Sequence, residues 1–150
     1  MQKILIPIGF HPVSEEIAEA GYRLAKQLNA KACLLHVIEP MPFYNMEYSS
    51  FLGFEGYPAV NLQLEEEAEK VAEDFLKKAA EHLNSDVQTR IEHGNTATCI
   101  LDYAKSWGAD LIVMGTHSYS VFEKIFMGSQ AIKVLEETTV PVYMVPVKKS

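Results

Sequence analysis

Apolar residues along this chain fall into two alternating patterns. Lys3-Ile-Leu-Ile-Pro-Ile8, Ala32-Cys-Leu-Leu-His-Val-Ile38 and Asp110-Leu-Ile-Val-Met114 are short, nearly continuous apolar runs, the pattern of strands buried on both faces. Val87–Glu92 is a more polar strand candidate, and Val140–Val147 is the last. Between these runs the apolar period lengthens to about 3.6 residues, the repeat of an amphipathic helix. Ile17, Ala18, Gly21, Leu24, Ala25 and Leu28 form one stripe; Ala68, Val71, Ala72, Phe75, Leu76, Ala79 and Leu83 form a second. Asn95 or Thr96 is placed to cap a third helix through Ala97, Ile100, Leu101 and Ala104, and a fourth covers Gln130 to Glu137 before Pro141.

On the second helix Glu66 with Lys70, Glu73 with Lys77 and Asp74 with Lys78 stand four residues apart, the spacing of a solvated, ion-paired face. Strands and helices thus alternate, beginning and ending on a strand. That order specifies parallel pairing with right-handed crossovers: an α/β fold, an open doubly wound five-stranded parallel sheet of the Rossmann-like kind with helices on both faces. Such sheets bind ligands beyond the carboxyl ends of the strands, where the strand order reverses. Chain order leaves open which strand ends adjoin.

Composition narrows the function. The 150 residues, 48% of them apolar, suffice for one domain spanning 1–150. A net charge of −7 disfavours nucleic acid and anionic membranes as partners. No apolar run approaches the ~20 residues of a membrane span, and no signal-peptide pattern opens the chain, so a cytoplasmic location is expected. Cys33, in a strand run, and Cys99, on a helix face, lack metal-ligand spacing and read as buried, reduced thiols.

The candidate chemistry lies in Leu111-Ile-Val-Met-Gly-Thr-His-Ser118, followed after nine residues by Gly128-Ser129-Gln130. A strand that breaks into glycine, then a small-residue loop, then Gly-Ser opening a helix is how backbone amides are brought to a phosphate. Among the histidines, His36 reads as a hydrogen-bonded core residue and His82 as an exposed one. His11, His93 and His117 follow strand ends, but without acid or cysteine ligands at recognisable spacing they make no metal site. No Ser/His/Asp arrangement or placed glutamate names a catalytic base.

The chain resembles the universal stress proteins nearly end to end. The resemblance runs through Ile4-Leu-Ile-Pro-Ile, Leu34-Leu-His-Val-Ile, Gly94, Ile112-Val-Met-Gly-Thr-His, Gly128-Ser129 and Val140-Pro-Val-Tyr-Met-Val. ATP-binding members carry a glycine, two residues, a second glycine, nine residues, then glycine with serine or threonine. Here the second glycine is Ser118, and Gly9 stands where such members usually have an aspartate beside the nucleoside. The resemblance implies ATP, with Mg²⁺, as ligand. It implies Pro7, Ile8 and the Gly9 position near base and ribose, Val37 as a backbone contact to adenine, and Met114 as its apolar neighbour. Gly115, Gly128 and Ser129 would hold the phosphates, with Ser118 supplying an amide and a hydroxyl at the second-glycine position and Gln130 continuing the helix start.

It also implies a homodimer paired through the strand Val140–Val147. The loop Pro40–Pro58, with Phe43, Tyr44, Tyr48, Phe51, Phe54 and Tyr57, is a candidate surface for a protein partner or a cover over the chain's own core. Two readings follow. One is a stress-response regulator that binds ATP, with slow hydrolysis at most; the alternative is a nucleotide-free dimeric interaction module with a degenerate site. A hydrolase related to this fold ranks third.

Overall fold

The structure, a computed structural model, describes residues 2–11, 13–40, 57–83, 86–116 and 128–146, with backbone alone for 57–65. In chain order the elements are β1 (Lys3–Pro7), α1 (Ser14–Leu28), β2 (Lys31–Ile38), α2 (Tyr57–Leu83), β3 (Gln88–His93), α3 (Thr96–Trp107), β4 (Leu111–Gly115), α4 (Ser129–Glu137) and β5 (Val142–Val145). The five strands form one parallel sheet in the order β3-β2-β1-β4-β5. The chain therefore builds outward from β1 on one side, then returns to lay β4 on the other. β1 and β4 are neighbours, paired Ile4 to Leu111 and Leu5 to Ile112.

Side-chain alternation along the strands divides the core in two. Ile4, Ile6, Ile8 and Leu34 pack with Ile17, Ala18 and Ala25 of α1 and Leu76 of α2. Leu5, Cys33, Leu35, Ile112 and Met114 face Ala97, Ile100 and Ala104 of α3 and Ala131 and Val134 of α4. Ile6, Leu34, Leu35, Ile112 and Val113 are fully inaccessible to solvent. These two-sided burials are why the runs lack polar alternation. The helix stops are local: Asn29 (φ 53°) and Gly108 (φ 78°) take left-handed turns whose N–H groups return to the last helical carbonyls.

Some boundaries differ from the sequence reading. α2 begins at Tyr57, so Tyr57 and Pro58 belong to a helix rather than to the aromatic loop. Pro58 is tolerated there because first-turn N–H groups have no intrahelical acceptor. The rest of that loop, 41–56, lies outside the described residues. β1 ends at Pro7, and β5 spans Val142–Val145 rather than Val140–Val147. Thr138 Oγ1 accepts from Val140 N at 2.9 Å and donates to Val140 O at 2.6 Å, which commits that residue to a local turn. Pro141 has no N–H to offer, and Val147 lies outside the described residues. The Asp74–Lys78 pair closes at 3.0 Å. Among the described residues no helix is long and apolar enough to cross a membrane.

Candidate functional site

Because β1 and β4 are adjacent, their carboxyl ends open onto one cleft of about 260 Å³. Pro7, Ile8 and Gly9 enter it from β1, Val37 from β2, Met114 and Gly115 from β4, and Gln130 from α4. The sheet order thus brings together residues as distant in the chain as Pro7 and Ala131. Ser14, His36, Thr96 and Ile100 also line the cleft and were not singled out as site residues from sequence. For Ser14 and Thr96 the available signal was their place at a helix start just after a strand end.

The loop after β1 is held by its neighbours. Ile8 N donates to Leu35 O at 2.8 Å, extending the sheet ladder by one bond. Ile8 O accepts from His36 Nδ1 at 2.9 Å, and since a carbonyl only accepts, Nδ1 carries the proton. His36 is 6% exposed, the hydrogen-bonded core histidine its apolar run suggested. Its ring packs on Phe10, centroids 4.6 Å apart. Gly9 O accepts from the Ser14 hydroxyl and from His11 N. A Cβ built on Gly9 meets nothing within 4 Å, and its φ is not in the left-handed region. The backbone therefore does not require glycine at this position.

Three helix N-termini flank the cleft, and they differ. α1 follows Val13 without a side-chain cap, and Ser14 N donates to His11 O at 3.0 Å. At α3 every first-turn donor has a side-chain acceptor. Thr96 N and Oγ1 donate to Glu39 Oε1 at 3.3 and 2.7 Å, Ala97 N to Gln130 Oε1 at 2.8 Å, and Thr98 N to Asn95 Oδ1 at 3.0 Å. Asn95, not Thr96, is the capping residue. α4 begins instead behind Gly128, which has no side chain to cap with, and its first intrahelical bond is Ile132 N to Gly128 O at 3.1 Å. The N–H groups of Ser129, Gln130 and Ala131 precede that bond and lie outside the intrahelical ladder. Gly128 and Ser129 are not in the cleft wall; they form the helix start immediately before Gln130 and Ala131, which are. Ser118 and His117 lie outside the described residues.

The remaining titratable groups disperse. His93 pairs with Glu69 at 2.6 Å, away from His11 in the cleft. His82 is exposed and sits 3.1 and 2.9 Å from Glu15 and Glu19, an ion-paired cluster between α1 and α2. Burial pushes the Cys33 thiol up to about 11, which leaves it a neutral core group. A larger groove of about 420 Å³ lies between α1 and α2, its floor built by Phe75, Ala79 and Leu83 and its rim by Glu15, Lys78 and the ion-paired His82. The smaller cleft has the convergent polar groups and the position expected of a binding site.

Residues 1–146 match the universal stress protein family. The universal stress protein MJ0531 of Methanocaldococcus jannaschii is 30% identical over 144 residues, covering 96% of this chain and 81% of that protein. Among solved structures, universal stress protein UspA from Lactobacillus plantarum superposes with a TM-score of 0.78 at 19% identity, over 96% of this chain and 97% of that one. A universal stress protein in complex with cAMP superposes at 0.63 and 16% identity, over 97% and 96%. Matched over nearly its whole length and built on the same sheet, the chain belongs to the universal stress protein family.

Proposed function

We propose that this protein is a cytoplasmic, homodimeric stress-response regulator that binds an adenine nucleotide, ATP with Mg²⁺, in the cleft between the ends of β1 and β4. The observation that carries this reading is the contrast between the starts of α3 and α4, which meet at Gln130. Glu39, Gln130 and Asn95 occupy the donors of α3, whereas α4 begins on an uncapped glycine beside the cleft. The positive end of a helix dipole with amides outside the ladder favours an anion. Base and ribose fit the apolar floor of Ile8, Val37 and Met114. The described cleft lining carries no carboxylate, so Mg²⁺ would be held by phosphate oxygens and water. The cAMP complex of a structural neighbour supports a nucleotide in this fold.

The alternative, a nucleotide-free interaction module, is favoured by Gly9 and Ser118, the two departures from the ATP-binding pattern. Calorimetric titration of the nucleotide-stripped protein with Mg-ATP, with Mg-GTP as control, separates the two. The first reading expects a dissociation constant near micromolar, about −8 kcal/mol, with GTP much weaker. Absence of heat up to roughly millimolar ATP would overturn it and leave the interaction module.

A further inference from the structure

Gln130 occupies an unusual position: it belongs to the first turn of α4, yet its side chain closes the first turn of α3. The bond has a consequence for the amide's orientation. Ala97 N–H is a donor, so the atom 2.8 Å from it must be the carbonyl Oε1 of Gln130. The network thereby fixes a choice of flip that is otherwise open for a glutamine. The other end of the same amide is then an NH₂ group, two donors on a half-buried side chain that lines the cleft. Among the described residues lining that cleft there is no lysine or arginine. Three other side-chain donors are directed to the protein: Ser14 to Gly9 O, His36 Nδ1 to Ile8 O and Thr96 to Glu39. His11, also in the lining, accepts from Val13 N through Nδ1, which puts its own proton on Nε2.

We propose that Gln130 is a specificity-determining residue of this cleft, its NH₂ group donating to a phosphate oxygen of the nucleotide while its Oε1 stays on Ala97 N. This rests on the nucleotide reading above. The residue stands two positions after Gly128, so its donor and the α4 amides address the same anion. The same side chain bridges α3 and α4 through Ala97 N, so the donor is oriented before the ligand arrives. A ligand presenting an acceptor there is favoured, and one presenting a donor is disfavoured, because two donors would face each other across the cleft.

Two substitutions separate the donor from the staple. Gln130→Glu keeps an oxygen for Ala97 N and replaces the donor by an acceptor; Gln130→Met removes both without adding charge. ATP affinity is read by calorimetry on the full chain, and the staple by hydrogen exchange at the Ala97 amide. The expected result is at least tenfold weaker ATP binding in both variants, with faster Ala97 exchange in Gln130→Met alone. ATP binding within twofold of wild type in Gln130→Met overturns the donor role, whatever Gln130→Glu does. Weakening confined to Gln130→Met also overturns it, since position alone would then be what the side chain supplies. A wild-type protein that binds no ATP defeats the nucleotide reading itself, and this inference with it.

Discussion

Gly9 is where sequence resemblance and local geometry can be weighed against each other. The resemblance places an aspartate here, and the absence of one removes a charge-assisted hydrogen bond of about 1.5–3 kcal/mol. The structure adds that the position is open: a Cβ meets no atom within 4 Å, and the backbone is not left-handed. Gly9→Asp is therefore expected to raise ATP affinity about 10- to 100-fold with an unchanged melting temperature, read by calorimetry and a thermal melt. An unchanged affinity would remove the nucleoside from the end of β1. His36 teaches the converse lesson. Its place in an apolar run already marked it as a satisfied core histidine, but only the fold named its partner, Ile8 O, and hence the proton on Nδ1.

At the scale of elements, α1 and α2 are joined by an exposed polar clasp that depends on pH. The hydrogen bond from His82 to Glu19, with the nearby charge of Glu15, raises the His82 pKa above the ordinary 6.5. A group whose folded pKa is raised stabilises the fold fully below its unfolded value and loses that contribution as pH rises through the folded value. While the glutamates stay ionised, the melting temperature of wild type over His82→Gln should thus show its full excess below about pH 6 and lose it as pH rises through the raised folded value. A difference constant with pH would exclude the ionised clasp. Because all three groups are solvent-exposed, the excess should also shrink with added salt. The helices themselves were legible as apolar stripes. The start of α2 was not, because the aromatic-rich segment before it has no 3.6-residue period and helix starts carry weak signals when no Ser, Thr or Asp caps them.

For the whole molecule, the sheet order has two consequences. It opens the cleft at the β1/β4 reversal, and it leaves β5 as an edge strand. Ile112 N bonds to Pro141 O and Thr116 N to Val145 O, so alternate residues 141, 143 and 145 face β4. Ladder alternation turns the N–H groups of Val142 and Met144 to the open side. Tyr143 is 49% exposed, and no charged side chain guards the strand. The proposed homodimer would pair there. Light scattering should give the mass of two chains for wild type and of one chain for Met144→Pro, which removes an outward donor. A monomeric wild type defeats the proposal.

The sequence by itself determined the class of fold, the identity of most elements and the family. Strands buried on both faces must be continuously apolar, and helices covering them must carry a stripe, so burial is written locally in Ile4–Ile6, Leu34–Leu35 and Ile112–Val113. It also marked the glycines of the candidate site, since Gly115 and Gly128 are local events in the chain. What only the tertiary structure decided is adjacency. That β4 lies beside β1, that Glu39 and Gln130 close α3, and that Gln130 lines the cleft with its amide oriented all depend on contacts between residues more than thirty positions apart. Periodicity reports which face of an element is buried, and it carries no information on which neighbour does the burying.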